Sequence, residues 1–112
     1  MIGLGALGSI SSDLLARAGV GHLRLVDRDV VELTNLQRQS LYSESDVDLP
    51  KADAAAERLR AVNSQIELEP LSKDVHSATV RDILHDMDIV VDQYIRGLIP
   101  TLPRVGAGVQ VN

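Results

Sequence analysis

Just after a glycine-punctuated opening, apolar side chains recur at helical spacing. Leu7, Ile10, Leu14, Leu15 and Ala18 make the predicted apolar face of a helix that Gly19 and Gly21, where positive φ is easy, bring to a close. His22-Leu-Arg-Leu-Val26 then reads as a strand ending at Asp27. Only Met1 and Ile2 precede Gly3, whereas a turn, helix and second strand of this kind usually follow a lead strand of about five or six residues, so the first strand is expected to be nearly missing.

Residues 28–50 are polar and irregular, and Pro50 precedes a new helix over residues 51–63 that brings Ala55, Leu59 and Val62 onto one face. Residues 65–71 alternate imperfectly, and Pro70 predicts an edge position or a strand end. Val80, Ile83, Leu84 and Met87 form the apolar face of a short helix capped by Ser77, and residues 88–92 read as a buried parallel strand. Helices alternating with strands predict an α/β fold in which a Rossmann-like, doubly wound, mostly parallel sheet is incomplete. Loss of the lead strand from the sheet centre predicts marginal stability or self-association.

Composition narrows the class. With 112 residues the chain can build one domain with a modest core, and 45% hydrophobic against 24% charged residues excludes a disordered tail or a membrane span. A net charge of −5 argues against nucleic-acid binding. No signal-peptide pattern is seen, which makes the cytoplasm the expected compartment. Without cysteine the chain can form no disulfide, thiolate zinc site or thioester. Tyr42 and Tyr94 are the only aromatics, so an adenine ring would lie against aliphatic walls.

Gly3, Gly5 and Gly8 would let the backbone turn, approach phosphate oxygens and pack a helix closely, while the helix N-terminus supplies amide donors. Ala6 between them adds little bulk. Asp27, at the end of the second strand, can accept both ribose hydroxyls; of Asp27 and the nearby Asp29, one can instead cap the loop or orient Arg38. Arg38 can grip two phosphate oxygens with its planar guanidinium, and Lys51, at a helix start, can neutralise triphosphate charge. Asn35 and Gln39 can bond phosphate or hold the loop. An acidic strand end, then Asn, Arg, Gln and Lys in that order, reads as an ATP site. His22, His76 and His85 are scattered and read as surface residues.

Gly3-Leu-Gly-Ala-Leu-Gly8, Leu25-Val-Asp-Arg-Asp29, Asn35-Leu-Gln-Arg-Gln39 and Pro50-Lys51 together resemble the E1-like (ThiF/MoeB/HesA-type) adenylyltransferase family. Its members include the activating enzymes of thiamine and molybdopterin sulfur carriers and of ubiquitin. The resemblance covers residues 1–92 and implies an enzyme that binds ATP with Mg2+. The C-terminal glycine of a ubiquitin-like sulfur-carrier protein would attack the α-phosphate to give an acyl-adenylate, in a homo- or heterodimer. Carried over, the backbone at Gly5 and Ala6 holds phosphate, Asp27 the ribose, and Asn35, Arg38 and Lys51 the triphosphate. Arg38 and Lys51 are the catalytic cations, and Gln39 supports the loop.

The chain departs from the family in three ways. Where the family continues into Asp-x-Thr-Asp-Asn, this chain reads Asp92-Gln-Tyr-Ile-Arg96, so Ile95 stands where the magnesium-associated Asp belongs and no metal ligand is assigned. Residues 93–103 fall short of a full family helix, with Pro100 and Pro103 opposing one, before residues 104–111 again resemble a family strand. An N-terminal arm, the carrier-binding half and the downstream cysteine pairs are absent. The expectation is one partial nucleotide-binding domain over residues 1–112, family-like to residue 92 and divergent from 93 to 112, that retains the nucleotide half of its site and is inactive or incomplete as this chain. The alternatives are a fragment of an NAD-dependent oxidoreductase and a non-catalytic subunit of a heterodimeric activating enzyme.

Overall fold

The computed structural model describes residues 1–93 and the backbone of residues 109–111. Helix α1 runs from Ala6 to Ala18 and ends as the glycines predict. Gly19, at φ 85°, donates to the Ala16 carbonyl while Val20 donates to that of Leu15, the paired bonds of a left-handed cap. Strand β1 is His22–Val26. The stretch that follows holds two single-turn 3-10 segments, Leu33–Asn35 and Glu44–Asp46, each closed by a reciprocal side-chain box, Glu32 with Asn35 and Ser43 with Asp46. Helix α2 is Lys51–Val62, strand β2 Glu67–Leu71, helix α3 Val80–Leu84, and β3 and β4 are Ile89–Val91 and Val109–Val111.

All described strand pairs run parallel: β1 with β2, with Pro70 opposite Leu25, and β3 with β4. Ile2 joins the two pairs, bridging Val26 on one side and Asp92 on the other. Its neighbourhood is stitched by Ile2 N–H to the Val91 carbonyl at 2.8 Å, Gly3 N–H to Val26 at 2.8 Å and Gln93 N–H to Ile2 at 2.8 Å. The order is therefore β2-β1-Ile2-β3-β4, and the expected central strand is reduced to a one-residue bridge. Among the described residues β2 is the edge, which is where Pro70 can forgo a ladder bond.

Two apolar clusters flank this sheet. Leu23 and Leu25 project toward Ala16 of α1 and Ala52, Ala55, Ala56 and Leu59 of α2; Ile2 and Val26 project to the other side, toward Val80, Ile83 and Leu84 of α3. Helices thus cover both faces, as expected of a doubly wound α/β fold.

Three local expectations are corrected. Most of the predicted apolar face of α1 is outside: Leu7, Ile10 and Leu14 are 66%, 51% and 61% exposed, only Leu15 packs partly against the core, and the helix instead buries Gly8, Ser9, Ser12 and Ala16. Small side chains win because they let the helix axis come close to the sheet, which a row of leucines would hold away. Helix α3 is capped neither by Ser77 nor by any other side chain; Thr79 holds the entry turn, its hydroxyl donating to the Asp74 carbonyl at 2.7 Å and accepting from His76 N–H at 3.1 Å. Strand β3 is parallel but not buried throughout, since Ile89 at its entry is exposed.

Candidate functional site

The glycine loop leaves the sheet centre and opens α1. Gly3 turns at φ 89°, and a Cβ on Gly8 would lie 1.9 Å from the Gly3 carbonyl oxygen, so the first turn of α1 rests directly on loop backbone. Gly5 is different: among the described residues a Cβ there would meet only Gln39 Nε2, at 3.7 Å, an ordinary van der Waals contact. Gly5 is the N-cap of α1, with no side-chain cap and no acidic residue in the first turn. The N–H groups of Gly5, Ala6 and Leu7 have no hydrogen-bond partner among the described residues. Free amides at a helix start, with the macrodipole behind them, attract an anion.

Leu4, fully buried, is fixed from both ends. Its N–H donates to Asp27 Oδ2 at 2.8 Å, and its carbonyl accepts from the Tyr42 hydroxyl at 2.7 Å and from Ser9 Oγ at 3.2 Å. Burial pushes the Tyr42 phenol above its ordinary pKa and the Asp27 charge adds to the rise, so the phenol stays a neutral donor. Asp27, 3% exposed, also accepts from Asp29 N–H at Oδ1, 2.8 Å away. Of the two aspartates, Asp27 is therefore the one that caps the loop. The Asp29 carboxylate is exposed and lies 3.7 Å from Arg28 Nε rather than orienting Arg38. Each Asp27 oxygen keeps lone-pair capacity for a further donor.

The Asp29 carbonyl accepts from Lys51 N–H at 2.9 Å, and Val30 bridges Pro50, so the start of α2 is tied to the exit of β1. Lys51 is only 7% exposed, and among the described residues no acceptor or carboxylate meets its side chain. Lysine side chains this well screened are ordinarily paired. Arg38 lies elsewhere: it is exposed and turns back on the Thr34 carbonyl at 3.2 Å. Asn35 is buried with Oδ1 accepting from Glu32 N–H at 2.9 Å, so its oxygen serves the loop while its NH2 can donate to a ligand. Gln39, 4% exposed and beside the glycine loop, has a buried Oε1 with no hydrogen-bond partner among the described residues. The structure thus brings Gly5, Ala6, Asp27 and Gln39 together, ties Lys51 to the same strand exit, and leaves Arg38 outside.

Among the described residues no three His, Cys, Asp or Glu side chains are grouped to hold a metal. Ile95 and Arg96, on which the magnesium argument rests, lie outside the described residues, as does the expected helix shortfall. No described helix is long and apolar enough to cross a membrane. Tyr42, Ser9 and Leu4 were not singled out by sequence reasoning for this site. The signal for Tyr42 was its rarity, one of two aromatics; for Leu4, which acts through its backbone, there was none.

A parallel sheet covered on both faces, a glycine loop opening a helix at its centre and a carboxylate at the next strand end define a Rossmann-like nucleotide-binding unit. The chain belongs to the ThiF family, whose model matches residues 1–94. It is 48% identical over 94 residues to the sulfur carrier protein ThiS adenylyltransferase of Bacillus subtilis (strain 168), covering 82% of this chain and 28% of that protein. It is 40% identical over 92 residues to the molybdopterin-synthase adenylyltransferase of Escherichia coli (strain K12), covering 82% of this chain and 37% of the other. The crystal structure of E. coli tRNA N6-threonylcarbamoyladenosine dehydratase, TcdA, in complex with ATP superposes with a TM-score of 0.79 at 32% identity, covering 83% of this chain and 39% of that one. The chain thus spans well under half the length of these relatives.

Proposed function

We propose that this chain carries the ATP-binding half of an adenylyltransferase site that activates the C-terminal glycine of a ubiquitin-like sulfur-carrier protein. A carboxylate oxygen of the carrier attacks the α-phosphorus, the bond to the bridging oxygen of the β-phosphate breaks, and pyrophosphate leaves with the electron pair. Phosphates lie on the amides of Gly5 and Ala6, the ribose on the remaining acceptor capacity of Asp27, and Lys51 pairs with phosphate charge. Asn35 donates through its NH2, Gln39 supports the loop, and Arg38 reaches the triphosphate by swinging from its exposed position. Mg2+ bound with the nucleotide would take its oxygen ligands largely from phosphates and water and would offset phosphate charge. The chain works as part of a cytoplasmic homo- or heterodimer whose remaining parts complete the carrier site.

The observation that carries this reading is Lys51, a lysine only 7% exposed and without a partner among the described residues, at a helix start tied by backbone to the strand exit that bears Asp27. Named relatives that are adenylyltransferases support it, as does a solved neighbour holding ATP. Calorimetric titration is the test. The chain is expected to bind Mg-ATP more tightly than NAD, and Lys51→Ala to weaken ATP by about tenfold or more, the scale of a lost charge-assisted bond. Tighter binding of NAD would overturn the reading in favour of a dehydrogenase fragment. Pyrophosphate exchange dependent on a carrier ending in glycine, assayed with and without a partner chain, reports on the chemical step.

A further inference from the structure

The backbone between Gly3 and Gly5 has little conformational preference of its own, because both flanking residues are glycine and Gly3 already sits at φ 89°. What fixes it is side-chain grip on Leu4. Asp27 holds the N–H at 2.8 Å, while Tyr42 and Ser9 hold the carbonyl at 2.7 and 3.2 Å, all inside a residue fully screened from water. The peptide planes that follow Leu4 carry the free amides of Gly5 and Ala6. Tyr42 is also the end of a short chain of backbone bonds. Its N–H donates to the Gln39 carbonyl at 3.2 Å, and Gln39 N–H donates to the Asn35 carbonyl at 2.9 Å. One phenol therefore links the segment bearing Asn35 and Gln39 to the glycine loop, two parts of the site that lie far apart in sequence.

We propose that Tyr42 is a positioning residue for phosphate: its hydroxyl, acting through the Leu4 carbonyl, holds the Gly5 and Ala6 amides in the orientation that receives phosphate oxygens. This rests on the nucleotide-binding reading above. Phe at this position keeps the ring in the core and removes only the donor, leaving Ser9 as the one side chain on that carbonyl.

The test compares wild type with Tyr42→Phe for ATP, inorganic tripolyphosphate and adenosine by calorimetry on the whole chain. ATP and tripolyphosphate are each expected to weaken by about fivefold to tenfold, the scale of one buried hydrogen bond, and adenosine to bind unchanged because it has no phosphate to lay on those amides. Equal ATP affinity in both proteins overturns the proposal. An equal loss for ATP and adenosine also overturns it, since that marks a residue that only supports the fold. If wild type binds no ATP, the nucleotide reading falls separately, and Tyr42 is tested by amide exchange at Leu4, whose buried N–H is bonded to Asp27: faster exchange there in Tyr42→Phe is expected, and unchanged exchange overturns the positioning role. Should Tyr42→Phe fail to fold, Ser9→Ala removes the longer bond to the same carbonyl and is expected to weaken ATP about twofold with adenosine unchanged. Identical ATP binding then sinks the proposal.

Discussion

Asp27 serves the fold before it can serve a ligand. Its two oxygens accept the N–H groups of Leu4 and Asp29, closing the glycine loop and the strand exit onto one buried carboxylate. Asp27→Asn preserves size but leaves one acceptor oxygen, turning an NH2 donor toward one of those two N–H groups. A buried donor facing a donor costs about 1–3 kcal/mol, so the variant should lose several degrees of Tm as well as nucleotide affinity. Thermal unfolding read beside an ATP titration checks this; a variant with wild-type Tm would show that the carboxylate is not the loop's clamp. Other residues show the limits of sequence at this scale. Lys51 and Arg38 looked alike, two cations at ordered spacing, and only the fold separates them, screening the first with no partner among the described residues and leaving the second on the surface. Asn35 was legible as a loop or ligand residue because its chemistry permits both; the bond to Glu32 N–H commits its oxygen to the loop.

At the scale of elements, α1 shows where hydrophobic period misleads. Leu7, Ile10 and Leu14 have the spacing of a core face, yet the buried face is the small one, and small residues give almost no signal on a hydropathy pattern. Helix α2 was legible because its buried face is alanine and leucine, where size and hydropathy agree. The glycine spacing carried the remaining information about α1. Gly8→Ala tests that account through two opposed effects. Alanine improves helix propensity by about 1 kcal/mol, while a Cβ 1.9 Å from the Gly3 carbonyl oxygen is a clash with backbone that no rotamer relieves. The clash wins: the expected net loss is about 1–3 kcal/mol, with weaker ATP binding because the loop must shift. Chemical denaturation gives the sign directly, and an Ala variant as stable as wild type would mean that the helix is not seated on the loop.

At the scale of the molecule, side chains that reach from the sheet to a neighbouring strand and helix hold the layers together. Arg24 is one of them. From β1 it donates to the Ile83 and His85 carbonyls at the end of α3, at 2.7 and 3.0 Å, and its Nε lies 3.1 Å from Glu69 Oε2 on β2, while His22 Nε2 stands 2.9 Å from the other oxygen. Burial by itself raises the Glu69 pKa, but the hydrogen bond and charge of Arg24, joined by those of His22, outweigh it and hold the carboxyl below its ordinary 4.5. A carboxylate whose pKa is depressed by folding stabilises the folded state above the unfolded pKa and loses that contribution as pH falls through the folded value. Stability should therefore decline as pH drops through and below about 4.5. Because the Glu69 side chain is 38% exposed, solvent screening limits the pair to about 0.2–1 kcal/mol. Other carboxylates titrate in the same window, so the informative quantity is a difference. Glu69→Gln should sit slightly below wild type in Tm at pH 7 and converge on it as pH falls toward 3, whereas a constant gap between the two curves would show that the Arg24 cluster contributes nothing that protonation can remove.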